Sequence, residues 1–245
     1  MNPILYIKNL SFSYNGKNLI LNNLSLTLEY GSVLALVGPN GSGKSTLIKN
    51  IFDILQKDSG RILINNVKNN KVKAKKNIMY MSDNNSIPDF LTGREYININ
   101  MKMYDVNINK KDIDKYITRY ALTDHIDSLI EGYSHGMKKK LQLITAFLLR
   151  RPLTIIDETL NGVDLEALYL AEEDISRLRF EGLSIILCSH DIPMLSRVAD
   201  SVLVLVNGEI VEHNKLGDII DKYGSLEELI SDIVEGLKTG HKNYG

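Results

Sequence analysis

A single cysteine, Cys188, stands among 245 residues, so the chain cannot close a disulfide within itself. It sits in the apolar run Ile185-Ile186-Leu187-Cys188, which predicts a buried, unreactive thiol in a reducing compartment. No run of about 18 apolar residues occurs, so no segment is expected to span a membrane. The opening Met1-Asn2-Pro3-Ile4-Leu5 lacks a basic stretch ahead of an apolar core and is not read as a secretory leader. An excess of either charge is missing too. The formal net charge is -1, which gives no global electrostatic case for nucleic acid or anionic lipid. Lys68, Lys71, Lys73, Lys75 and Lys76 crowd one Asn-rich stretch, but no aromatics interleave them, and a solvated loop or hairpin edge is expected there. Internal repeats and low-complexity linkers are also absent.

What is present is a hydrophobic fraction of 44%, enough for one large α/β core with an inserted subdomain. Residues 4 to 14 alternate as a strand does, Asn15-Gly16 is a hairpin signal, and Leu19 to Leu21 with Leu24 to Leu28 continue the pattern, so an antiparallel sheet is expected first. Leu47, Ile48, Ile51 and Leu55 follow helical spacing, which Ser59-Gly60 is expected to end before a strand at Arg61 to Ile64. From about 90 to 150 the pattern is mainly helical, with Tyr96, Tyr104, Ile113, Tyr116 and Ile117 on the buried face. The runs Leu153 to Ile156, Ser184 to Cys188 and Ser201 to Val206 read as buried parallel strands separated by helices. Asn207-Gly208 then turns the chain into Glu209-Ile210-Val211. Beyond residue 213 an amphipathic stretch (Leu226, Leu229, Ile230, Ile233, Val234) precedes a polar tail expected to be disordered.

The chemistry gathers where strands meet helices. After the apolar run Val33 to Val37 come Gly38, Pro39, Asn40, Gly41, Ser42, Gly43, Lys44 and Ser45, a GxxxxGKS phosphate loop, followed by Thr46. Its glycines remove side chains so that successive N-H groups can surround phosphate oxygens at a helix N-terminus. Lys44 would then reach the β- and γ-phosphates and Ser45 would ligate Mg²⁺. The run Leu153 to Ile156 delivers Asp157 and Glu158 at a strand's carboxyl end, where open α/β sheets hold ligands. Asp157 can position Mg²⁺. Glu158, on the opposite side if the strand continues, could polarise an attacking water as general base. Ser189-His190-Asp191 places an imidazole at the same edge, within reach of a γ-phosphate.

These motifs, in this order and spacing, resemble the ATPase subunit of an ABC transporter over nearly the whole chain. In that family a signature of the form LSGGQ opens a helix. Tyr133-Ser134-His135-Gly136-Met137 falls where it should, matching at Ser134 and Gly136, with His135 and Met137 as departures. The resemblance implies that these two residues bind the γ-phosphate held by another subunit, that Tyr14 stacks on adenine, and that Asp164 crosses between subunits. Asp164 could equally be a helix cap. Lys138, Lys139 and Lys140 oppose the helix dipole in the first turns, which suggests either an anion docked nearby or simple solvation. Asp83 occupies the place of a glutamine that contacts Mg²⁺, and Thr159 replaces the proline after the catalytic glutamate.

The resemblance further implies a P-loop NTPase core with a mainly parallel sheet, an N-terminal antiparallel β-subdomain and a helical arm at about 88 to 148. The ATPase domain would span 1 to 215, and 216 to 245 would form a C-terminal helical extension and tail. ATP and Mg²⁺ are the implied cofactors, and Lys44, Glu158 and His190 the catalytic groups. The implied partners are separately encoded transmembrane permease subunits and a second ABC ATPase, as homodimer or heterodimer, with no nucleic acid expected. The location would be cytoplasmic, held to the inner face of the membrane through the permease. The tail resembles exporter-type ATPases and favours export of a drug, peptide or lipid. A soluble ABC ATPase acting on nucleic acid or ribosomes, or a slow regulatory subunit of a heterodimer, are the alternative readings.

Overall fold

The computed structural model describes residues 3–82 and 87–239. Strand β1 (Leu5–Ser13) pairs antiparallel with β2 (Leu19–Leu28), Leu5 opposite Leu28 and Ile7 opposite Leu26. The chain then passes through β3 (Val33–Val37), helix α1 (Lys44–Ile51), β4 (Ser59–Ile64), β5 (Val67–Lys68), the short α2 (Val72–Lys75) and β6 (Ile78–Met81). An all-helical stretch follows: α3 (Gly93–Met103), α4 (Lys110–Arg119), a 3-10 turn at Ile130–Gly132 and α5 (His135–Leu149). Strand β7 (Leu153–Asp157), α6 (Leu165–Phe180), β8 (Ser184–Cys188), α7 (Ile192–Val198), β9 (Ser201–Val206) and β10 (Glu209–Lys215) complete the core, and α8 (Leu216–Tyr223) and α9 (Leu226–Thr239) end it.

Two sheets result. The first is antiparallel in the order β2-β1-β4-β5, and the second runs β10-β9-β3-β8-β7-β6, parallel except for the β9-β10 hairpin. This is the expected α/β architecture, with Asn207 and Gly208 both at positive φ in the hairpin turn. All five residues of β3 are buried because both faces of its sheet are covered. Val33, Ala35 and Val37 join the cluster shared with α3, α5 and α6, whereas Leu34 and Leu36 join the cluster facing β1, β2 and α1. The polar tail expected after α9 lies outside the described residues.

One boundary differs from the expectation. Helix α1 ends at Ile51, where Asp53 takes a left-handed conformation (φ 58), and Ser59-Gly60 lie inside β4. Gly60 is a close-approach residue, since a Cβ there would stand 2.4 Å from the Asn9 carbonyl oxygen.

The helical stretch is anchored through polar groups as well as apolar ones. Thr92 and Glu95 form a reciprocal capping box at the start of α3. Just after α4, Tyr120 donates to the buried Asp174 carboxylate of α6 at 2.8 Å. Burial pushes that carboxyl above its usual range, while the Tyr120 hydroxyl and the Arg177 and Arg119 charges pull it down. Removing one donor from a buried carboxylate costs about 1–3 kcal/mol. Tyr120→Phe is therefore expected to lower the thermal midpoint in calorimetry, and an unchanged midpoint would show that the bond contributes nothing to docking of the arm.

Candidate active site

The carboxyl ends of β3, β7 and β8 converge because the three strands are parallel neighbours, with Ala35 opposite Leu187 and Asp157 opposite Cys188. From the end of β3 the phosphate loop turns on Gly38 (φ 153), Gly41 (φ 80) and Gly43 (φ 108). A Cβ on Gly38 would stand 2.1 Å from the Leu205 carbonyl oxygen, so no other residue fits without moving β9. Lys44, mostly buried, folds back to donate to the carbonyl oxygens of Gly38 at 2.7 Å and Pro39 at 3.3 Å. Ser42 Oγ is buried with no hydrogen-bond partner among the described residues. Curled backbone, a lysine satisfied only by the loop's own carbonyls and an orphaned hydroxyl together fit a polyphosphate. Ser45 is exposed on the first turn of α1. Tyr14 is 63% exposed, packs edge-on to Phe12 and approaches Thr46 Oγ1 at 3.4 Å, which leaves its ring free to stack beside the loop.

Strand β7 ends at Asp157, so Glu158 does not continue its alternation: its φ is 55, and its N-H donates to the Cys188 carbonyl at 2.8 Å. That turn brings Glu158 Oε1 to 3.1 Å from His190 Nε2. Asp157 is buried and accepts from the Tyr80 hydroxyl at 3.0 Å. Burial raises its carboxyl above the usual range, Tyr80 opposes this, and the neighbouring Glu158 charge adds to it. The Cys188 thiol, fully buried as expected, is pushed well up by desolvation. Among the described residues no group of three or more His, Cys, Asp or Glu is arranged to hold a metal. Mg²⁺ takes one or two protein oxygens and completes its shell with phosphate and water. Asp157 and Ser45 are the donors that fit. Asp83 lies outside the described residues.

Residues 21–161, more than half of the chain, match the protein-family model described as ABC transporter. The chain belongs to the ABC transporter family. It is 27% identical to the ABC-type transporter ATP-binding protein EcsA of Bacillus subtilis, over 94% of this chain and 94% of the relative. A further relative, the linearmycin resistance ATP-binding protein LnrL of Bacillus subtilis, is 27% identical over 96% of this chain and 76% of its own. A solved structure described as the ATP-binding subunit of an ABC transporter superposes with a TM-score of 0.87 at 28% identity, covering 94% of this chain and 99% of that one. The protein is thus an ATP-binding, ATP-hydrolysing subunit, and none of its described helices is long and apolar enough to cross a membrane.

In this ABC ATPase the signature residues open α5. Ser134 caps the helix, accepting from the Met137 N-H at 3.3 Å, and is exposed together with His135. Gly136 faces the Gly162 carbonyl, 3.5 Å from where its Cβ would be. A cavity of about 240 Å³ beside the phosphate loop is lined by Gly38, Asn40, Lys44 and His190 on one side and Ile230 and Ile233 of α9 on the other, without Ser134 or Gly136. Asp164 takes the cap role, accepting from the Ala167 N-H at 2.9 Å and pairing with Lys140 at 2.6 Å. The three lysines therefore neither await an anion nor lie free in solvent. Lys138 pairs with Asp89 at 2.8 Å, Lys140 with Asp164, and Lys139 is fully buried beside the Glu158 carbonyl. Tyr80 and the α9 residues are not among the site residues that the sequence points to, and Lys139 is read there only with its neighbours, as facing an anion or solvent. For Lys139 the signal existed, since Leu143 and Phe147 at four-residue spacing mark its face as buried.

The raised carboxyl of Asp157 has a stability consequence. With the folded value above the unfolded 3.8, ionisation costs stability as pH rises through that window, so the cost is complete at neutral pH and absent below the unfolded value. Asp157→Asn keeps an acceptor for Tyr80 and is expected to stabilise the nucleotide-free protein by about 1 kcal/mol, or roughly 2–4 °C, at pH 7. The gain should vanish near pH 3 in thermal scans. A loss of stability at pH 7 would contradict the assigned burial cost.

Proposed function

We propose that this subunit hydrolyses Mg-ATP with Glu158 as general base, in a head-to-tail dimer whose closure and reopening drive separate membrane subunits. The observation that carries the reading is the Glu158 carboxylate held 3.1 Å from His190 at the sheet edge that also bears the phosphate loop. Lys44 leaves the Gly38 and Pro39 carbonyls for the β- and γ-phosphates and stabilises the charge that develops on transfer. Glu158 takes the proton of the attacking water, and His190 orients the carboxylate and contacts the γ-phosphate. Mg²⁺, held by Ser45 and Asp157, would neutralise charge between the β- and γ-oxygens. Tyr14 stacks on the adenine ring.

Support for the dimer comes from where Ser134 and Gly136 lie. Ser134 and Gly136 sit at an exposed helix start and do not line the cavity over their own phosphate loop, which supports their service to a second subunit's nucleotide. ABC ATP-binding subunits work with separate membrane permease subunits, and attachment to such a partner would place this chain at the inner face of a membrane. For cargo we favour export of a drug, peptide or lipid. The relative named for linearmycin resistance, matched over 76% of its length, supports that choice.

Steady-state hydrolysis by the purified chain tests the base. Glu158→Gln is expected to slow turnover by roughly 10² to 10⁴ while ATP stays bound. Lys44→Ala should weaken nucleotide binding itself, as read by a fluorescent ATP analogue. Unchanged turnover in Glu158→Gln would refute the assignment. Co-purification of the tagged chain from native membranes should recover a multi-spanning protein. Recovery of ribosomes or nucleic acid instead would overturn the transport role.

A further inference from the structure

Lys139, five residues beyond the Ser134 cap, is 0% exposed, and its Nζ donates to the carbonyl oxygen of Glu158 at 3.4 Å. A lysine ordinarily buries its stem and keeps its ammonium in water, so complete burial calls for hydrogen-bonding partners inside the protein. Thr159, on the other side of the same turn, is also 0% exposed. Its hydroxyl has one proton and faces three carbonyl oxygens, those of Met81 at 3.2 Å, Asp157 at 3.3 Å and Ser82 at 3.4 Å. Between the two stands Glu158 in the left-handed region, which is sterically unfavourable for a residue with a side chain. Backbone bonds help to secure that turn: the Glu158 N-H donates to the Cys188 carbonyl in β8, and the Glu158 carbonyl accepts from the Asn161 N-H at 3.0 Å.

We propose that Lys139 and Thr159 are positioning residues for ATP hydrolysis, holding the Glu158 peptide from the α5 side and the β6 side so that its carboxylate stays beside His190. The proposal rests on Glu158 being the base. Neither side chain has exposed surface to offer a phosphate. A general base has to lie within hydrogen-bond reach of the water it activates, and a displacement of about 1 Å costs on the order of 10²-fold in rate. The arrangement also ties the base to two elements at once: the helix opened by Ser134 and Gly136, and the strand that ends at Met81.

The test measures kcat, KM and ATP affinity of the full-length chain carrying Lys139→Gln, Thr159→Val or Thr159→Ser, alone and with Glu158→Gln. Lys139→Gln and Thr159→Val are each expected to lower kcat about tenfold or more, with KM and ATP affinity held within about threefold, because transition-state geometry and not binding is lost. Thr159→Ser, which keeps the hydroxyl, should restore kcat to within about twofold. In the Glu158→Gln background either substitution should add less than about a twofold further loss, as groups acting through one residue are non-additive. Should Lys139→Gln fail to fold, the Thr159 pair decides. Normal kcat in folded variants, or a full further loss in the Glu158→Gln background, would overturn the positioning role while leaving Glu158 as base. Glu158→Gln turning over ATP at the unsubstituted rate would overturn the base and this proposal together.

Discussion

Parallel pairing of β7 with β8, carried to the last pair Asp157 and Cys188, sets the depth at which the candidate catalytic groups Glu158 and His190 emerge. Because that pairing ends there, the next N-H, of Glu158, still finds the Cys188 carbonyl while the chain swings into the left-handed region. The neighbouring strand β3, in register with β8, ends at Val37 and releases the phosphate loop at the same level. One set of backbone bonds thus brings a lysine, two carboxylates and an imidazole to a single edge, none of them on a segment free to drift. Rigid positioning of this kind is what phosphoryl transfer requires of a protein, since most of the catalysis comes from placement and charge.

Around that edge the structure places buried polar groups where an apolar core would cost less. Asp157 is buried against Tyr80, Lys139 against the Glu158 carbonyl, and Thr159 against the end of β6. Each is a polar group taken out of water, and all three lie at or beside the turn that carries Glu158. The signature helix is braced in the same manner, with Lys140 on Asp164 and Lys138 on Asp89. The α5 start is thus tied to the loop from 158 to 164 through the Lys140–Asp164 pair.

The fold was legible in the sequence wherever the signal was local. The phosphate loop, the runs at β3, β7, β8 and β9, and the Asn207-Gly208 turn carry their pattern within a few residues. Gly60 misled because a glycine after a helical run reads as a stop, whereas here it admits the Asn9 carbonyl from a neighbouring strand. The conformation of Glu158 could not be read either, since the acceptor that stabilises it belongs to residue 188, a strand away. Lys139 is the instructive case: its helical spacing marks a buried face, but its charge suggests the opposite, and polar partners inside the protein, the Glu158 carbonyl among them, reconcile the two. The roles proposed for Tyr14 and Ser134 come from family resemblance, since spacing alone leaves them open.

The most direct measurement is a crystal structure of the full chain with Mg²⁺ and a non-hydrolysable ATP analogue. The account predicts Lys44 Nζ transferred from the Gly38 and Pro39 carbonyls to the β- and γ-phosphates. It also predicts that the Glu158 carboxylate, still in its left-handed turn, is hydrogen-bonded to a water in line with the γ-phosphorus. Lys44 remaining on the loop carbonyls, or Glu158 turned away from that water, would contradict it.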